Sequence, residues 1–362
     1  MAIYCGKWGT VEVSVSFHFI RQGEQVHIDP CPCVTPDYRI KDFLRLTSHI
    51  LFDKKKCTVY VLFGKFRQEV KIMSTGAGTG CPAGRHNPVQ AIQDLMIEES
   101  LAKIRHKILV MSGKGGVGKS TISTNIALVL SQRGCQVGLL DIDLHGPDIA
   151  LLLGMRDQSP GENQGTADAV RYSDTLKFMS IEYLMADKDQ AIIWRGPLKY
   201  KAIKTFLADV RWGELDYLII DSPPGTGDEP LTIAQTIKDA RALIVTTPQE
   251  VSLSDVRKSI RFCGKAEMSI LGLIENMSGL VCPHCQKEIP LFKKGGGGSL
   301  AREMQVPFLG SIPLDPEVVH ASDEGKPFML GTRPGSEAAT AAFNKIVDQI
   351  TAKDSTACST NS

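Results

Sequence analysis

The sequence predicts an α/β fold: a doubly wound, mainly parallel sheet flanked by helices, with a small N-terminal segment whose fold the pattern does not specify. Three observations carry the prediction. From Lys107 onward, the runs 108–111, 137–140, 217–220, 242–245 and 270–274 are almost wholly apolar rather than alternating, as strands covered on both faces must be. Longer segments of helical spacing separate them, the alternation that builds a parallel sheet. The first run opens directly into a glycine-rich turn and then a helix, at the strand end where ligands of such sheets bind.

The elements follow in order. Residues 1–72 form an extension with short β-like runs at 11–20 and 58–63 around a turn-rich 30–36 stretch holding Cys31 and Cys33. This segment carries a balance of +4, against −3 for the remainder and +1 for all 362 residues. Residues 73–106 are a linker and helix: 74–88 is rich in Gly, Thr and Pro, and 89–106 places Ile92, Leu95, Met96 and Leu101 at roughly helical spacing. The main domain spans 107–352. Within it Gly134 is placed to end the helix that opens at Lys119, Pro197 suits the first turn of another, and 336–350 reads as the last helix. A polar tail, 353–362, follows. The composition break and the Gly78-Thr79-Gly80-Cys81-Pro82 run beyond it suggest Met73 as a natural start.

Composition removes several function classes. An apolar share of 43% excludes wholesale disorder, and near-neutral charge lacks the footprint of a general nucleic-acid binder. Ten cysteines at irregular spacing are too few for a disulfide scaffold, the apolar runs are too short to span a bilayer, and no basic head with an apolar stretch opens the chain. The expectation is a cytoplasmic protein with mostly reduced cysteines, bound to neither nucleic acid nor membrane. Cys135 and Cys263 are expected as small buried residues. Cys5, Cys31, Cys33, Cys57 and Cys81 match no ligand spacing, and Cys358 lies in the tail.

Chemistry concentrates at strand ends. Gly113-Lys114-Gly115-Gly116-Val117-Gly118-Lys119-Ser120 fits GxxxxGK[ST], with a strand before and a helix, opening toward Thr121, after. Such a loop curls tightly and aims backbone N–H groups at phosphate oxygens. Lys119 is placed for the β- and γ-phosphates and Ser120 for Mg²⁺, which makes ATP the expected substrate. Lys114 has no role in the bare pattern. It resembles the deviant Walker A lysine of ATPases such as MinD and ParA, which implies a residue reaching across a dimer interface to the partner's nucleotide. Two more strands end in acids: Asp141-Ile142-Asp143 and Asp221-Ser222-Pro223-Pro224-Gly225-Thr226-Gly227-Asp228. Asp221 is expected to hold magnesium, and Asp143, with Asp141 next, to orient the attacking water.

Cys282-Pro283-His284-Cys285 places two thiolates within reach of one metal, and the chain offers no second CxxC to complete four ligands. A redox pair, half of a zinc site and half of an iron–sulfur site are all compatible with the spacing, the latter two completed by a second subunit. His284 is expected as a solvated turn residue rather than a ligand.

The set of motifs then resembles the Mrp/ApbC-type iron–sulfur cluster carriers. The likeness rests on 107–125, 141–147, Trp194-Arg195-Gly196-Pro197, 212–228, 275–278 with Cys282 and Cys285, and 313–327, in family order over about 250 residues. It implies a homodimeric ATPase whose paired Cys282 and Cys285 bridge a 4Fe–4S cluster between two subunits. ATP turnover is coupled to loading or delivery, with a cluster assembly scaffold and apo iron–sulfur client proteins as partners. It also implies Asn276 near the adenine ring. Asp148 departs from the usual serine and adds a carboxylate near the phosphate site. The alternative of a MinD/ParA-like positioning ATPase requires a basic amphipathic C-terminal helix or a basic surface. The final helix, with Glu337, Lys345 and Asp348, lacks the first.

Overall fold

The computed structural model describes residues 88–354, apart from 145, 164–165, 185–195, 283–284, 286, 290 and 332–333, together with four short strands upstream. Upstream, Ser14–Val15 pairs antiparallel with Val70–Lys71, and Ile50–Asp53 with Thr58–Val61. The chain divides into two compact units, Met1–Leu95 with Glu162–Thr166, and Met96–Gly161 with Ala167–Ser362. Cys5, Cys31, Cys33, Cys57, Cys81, Cys358, His284 and the Trp194-Arg195 pair, as well as the proposed start at Met73, lie outside the described residues.

Helix α1 (Pro88–Ala102) leads into strand β1 (Ile104–Ser112), followed by α2 (Lys119–Gln132), β2 (Val137–Asp141) and α3 (Ile149–Leu152). Next come β3 (Val170–Arg171), β4 (Leu176–Ser180), α4 (Gly196–Asp209), β5 (Leu215–Asp221), α5 (Asp228–Thr236) and β6 (Arg241–Thr246). The chain continues through α6 (Glu250–Lys265), β7 (Ser269–Glu275), α7 (Gly296–Glu303), β8 (Phe308–Ser311), α8 (Pro316–Asp323) and α9 (Glu337–Lys353). The main sheet has eight strands in the order β8-β7-β6-β1-β5-β2-β4-β3. Every pairing is parallel except β4 with β3.

Both sheet faces are buried, which explains the unbroken apolar runs. Along β1, Ile108 and Val110 enter one core with Ile122, Ile126, Phe343 and Ile346, while Leu109 and Met111 enter the other with Ile203, Phe206, Val256 and Ile260. Tyr217 and Ile219 against Leu218 and Ile220 repeat the alternation on β5. A strand's side chains point to opposite faces in turn, so covering both faces demands apolar residues at every position.

Two expectations are corrected by this arrangement. The helix expected over 89–106 stops at Ala102, and the first strand starts at Ile104 rather than 108. Ile104 is buried, Arg105 is exposed and bonds Asp216 at 2.9 Å, and Lys107 reaches Asp239 at 2.7 Å. These pairings satisfy the polar residues on an extended strand. Secondly, Asp354 is not a solvated tail residue. It is buried under α9, where it accepts a bond from Tyr217 Oη at 3.0 Å and pairs with Arg241 at 2.6 Å. Cys135 is buried, as expected.

The order of connections sets the site. From central β1 the chain moves to β2, β3 and β4 on one side, returns to β5 beside β1, and crosses to β6 on the other. The carboxyl ends of β1, β2 and β5 therefore converge at the point where strand order reverses.

Candidate nucleotide site and cysteine loop

The turn between β1 and α2 is shaped by close approaches that only glycine permits. At Gly113 an added Cβ meets the α6 backbone at Asp255 and Val256, 2.5–2.6 Å away. Gly118 adopts φ +82, and an added Cβ there meets Asn276 Nδ2 at 2.4 Å. Gly115 and Gly116 lie exposed at the tip, Val117 is buried, and Thr121 follows on the first turn of α2. Lys114 is half-buried, with its carbonyl accepting from Ser112 Oγ at 2.9 Å. Gly225 N donates to Ser112 O at 2.8 Å, joining the loop after β5 to the same turn.

Asp221, at the end of β5 and almost fully buried, gathers three donors. Lys119 Nζ lies 3.0 Å and Ser120 Oγ 2.6 Å from Oδ2, and Ser123 Oγ lies 2.7 Å from Oδ1. The structure thus brings Lys119, Ser120 and Asp221 together as the spacing predicts. Ser123 was not legible as a site residue. The available signal was its position three residues after Ser120, on the same face of α2.

The second acidic loop separates its two residues by role. Asp141 is fully buried and accepts from Asp143 N at 3.0 Å, Ser180 Oγ at 3.2 Å and Ile149 N at 3.3 Å. Burial, and then the neighbouring Asp221, push its carboxyl well above the usual range. Asp141 therefore folds its loop. Asp143 Oδ1 accepts from Gly146 N at 3.3 Å. Asp148 is exposed, yet partial desolvation and the charges of Asp143 and Asp221 raise its carboxyl too.

On the opposite flank, Asn276 Nδ2 donates to Val117 O at 2.9 Å. Asn276, Met277, Thr121, Pro313 and Leu314 line a cavity of about 140 Å³ beside Gly118. Just past the end of β7, the segment bearing Asn276 continues into a small hairpin, Leu280–Val281 with Glu288–Ile289, at whose end the cysteines sit. Cys282 is half-buried with its N–H donated to Lys287 O at 3.0 Å, and Cys285 is exposed. Cys263, by contrast, is buried, and that burial pushes its thiol up to about 11. Among the described residues no three or more His, Cys, Asp or Glu gather as a metal set. Two thiols are half the number of thiolates that a 4Fe–4S cluster takes.

Comparisons with known proteins place the chain among its relatives. A model of the NUBPL iron-transfer P-loop NTPase within the ParA group matches residues 103–351. An iron–sulfur cluster carrier protein of Methanocaldococcus jannaschii is 49% identical over 278 residues, covering 75% of this chain and 94% of the relative. The cytosolic Fe-S cluster assembly factor NUBP2 of Bos taurus is 45% identical, covering 70% and 96%. Among solved structures, a nucleotide-binding protein of Archaeoglobus fulgidus in complex with ADP superposes with a TM-score of 0.58 at 38% identity, covering 66% of this chain and 94% of that one. The cell division ATPase MinD of Pyrococcus furiosus, at 24% identity and a TM-score of 0.50, shares the fold. No helix among the described residues is long and apolar enough to cross a membrane. With the phosphate loop, its buried aspartate and the cysteine pair on its hairpin in place, the chain belongs to the ParA-group family of iron-transfer P-loop NTPases.

Proposed function

We propose that this chain is a slow ATPase that carries iron–sulfur clusters in the cytoplasm, with ATP binding and hydrolysis coupled to loading or release. Two copies hold one 4Fe–4S cluster between their paired Cys282 and Cys285. The observation that carries the reading is the half-site: two thiols on an exposed hairpin, with no further ligand set among the described residues. The relatives' names as a cluster carrier and a cluster assembly factor support it, and point to apo iron–sulfur proteins and an assembly scaffold as partners.

At the other end of the same unit, the backbone of Gly113, Gly115, Gly116, Val117 and Gly118 cradles the phosphates, with Thr121 beside the α-phosphate side and Asn276 beside the base. Lys119 faces the β- and γ-phosphates. Ser120 and Asp221 are all-oxygen donors 2.6 Å apart at the end of a buried strand, a set that suits Mg²⁺. Ser120 and Asp221 would hold the ion there, and when bound it would neutralise negative charge on the phosphates. Asp143 accepts a hydrogen bond from the attacking water, whose oxygen joins the γ-phosphorus as the bond to the β–γ bridging oxygen breaks and ADP leaves. Lys114 supplies positive charge to the partner's nucleotide as that charge develops. Its side chain is only half-buried, unlike that of Lys119 in the same loop, which supports this reading.

Anaerobic reconstitution with iron and sulfide tests the reading. Broad absorption at about 400 nm, from thiolate-to-iron charge transfer, is expected, and Cys282→Ala or Cys285→Ala should abolish it. Retention of zinc with no cluster uptake overturns the proposal.

A further inference from the structure

The cysteine loop, 279–294, leaves β7 and returns to α7, and one buried side chain ties both of its ends. Glu275 closes β7 and is fully buried. On the entry side Ser278 Oγ donates to Glu275 Oε1. On the exit side Gly295 N donates to the same oxygen at 2.8 Å, and Gly297 N donates to Oε2 at 2.5 Å. Both carboxylate oxygens are therefore acceptors, and a buried carboxylate holding several N–H and O–H donors is a strong fastener.

The arrangement is not an ordinary helix cap. The N-cap position of α7 is Gly295, which has no side chain to offer. The first-turn amides of α7 are satisfied instead by a residue 20 positions earlier in the chain. That residue sits on the strand that also touches the phosphate loop. Next to Glu275, Asn276 donates through Nδ2 to Val117 O at 2.9 Å and through its own N–H to Thr246 O at 2.7 Å. Met277 follows with φ +56, a left-handed conformation that a residue with a side chain adopts only when its surroundings impose it. Ser278 N then donates to Ile312 O at 2.9 Å. Four consecutive residues thus grip the phosphate loop at one end and the cysteine loop at the other.

We infer that Glu275 is a positioning residue that clamps the cysteine loop to the strand contacting the phosphate loop, so that nucleotide binding alters the accessibility of Cys282 and Cys285. The inference rests on the proposed use of these two sites, and extends it by naming the joint between them. A nucleotide that shifts Val117 or Asn276 moves the strand end, and the clamp passes that movement to both ends of the loop. Replacing Glu275 by Gln puts an N–H donor opposite one of the donors it now satisfies, and opens the clamp at that point.

The test uses the full, iron-free chain and follows iodoacetamide modification of each cysteine by mass spectrometry. Rates are measured without nucleotide and with saturating Mg·ATP or a non-hydrolysable analogue, and buried Cys263 serves as internal reference. In the native chain, nucleotide should change the Cys282 and Cys285 rates by about fivefold or more, the lower end of coupling between linked sites. In Glu275→Gln the ratio should fall to about one at saturating nucleotide, with both cysteines reacting faster than in the nucleotide-free native chain. Ser278→Ala removes one of the three donors and should give an intermediate ratio; it carries the test should Glu275→Gln fail to fold. A native chain without nucleotide response, or variants whose response equals the native one, overturn the inference. Because no iron is used, failure of the cluster reading shows separately, as absent cluster uptake on reconstitution.

Discussion

Asp221 shows how much chemistry one residue organises. It accepts from Lys119, Ser120 and Ser123 in a site with almost no exposure, so removing any partner leaves buried polar groups unsatisfied. Lys119→Ala removes the ammonium facing the phosphates and should abolish ATP binding, measured by calorimetry, while reconstituted cluster absorbance stays near that of the native chain. Loss of both together contradicts the separation of the two sites. Lys119, Ser120 and Asp221 are legible in the sequence because a fixed motif and a strand ending in an acid mark them. Ser123, Ser180 and Glu275 are not. Their roles arise from contacts 98, 39 and up to 22 positions away along the chain, and no local pattern encodes such distances.

At the scale of elements, the apolar runs mark β1, β2, β5, β6 and β7 but leave β3, β4 and β8 unannounced. Lys177 breaks the apolar run of β4, and β8 spans only Phe308–Ser311. At the two edges, β8 and β3, the demand for apolar residues on both faces relaxes and the signal fades with it, whereas interior β4 is interrupted only at Lys177. Helix α4 carries a testable liability at its C-terminal end. Burial pushes the Asp209 carboxyl up to about 6, and a negative charge opposes the helix dipole there. Since the folded value lies above the unfolded one, the ionised group costs stability above about pH 6, and that cost vanishes as pH falls below about 4. Asp209→Asn should stabilise the chain at about pH 7.5 by roughly 1 kcal/mol, allowing for screening of a half-buried group. Chemical denaturation at both pH values checks it: an equal gain at about pH 4 contradicts the charge argument.

For the whole molecule, the doubly wound sheet brings the phosphate loop and the cysteine hairpin onto one unit, joined through the end of β7. The motif order made that pairing legible before any coordinates, whereas the clamp joining the two sites required the folded chain. The same fold leaves half-buried Cys282 and exposed Cys285 at a hairpin tip, two thiols where a 4Fe–4S cluster takes four. We therefore propose a working unit of two chains around one cluster. Native mass spectrometry of the anaerobically reconstituted protein checks this. A dimer carrying a single 4Fe–4S cluster is expected, which Cys282→Ala converts to cluster-free chains. A monomer that retains a cluster, or a dimer that holds only zinc, contradicts it.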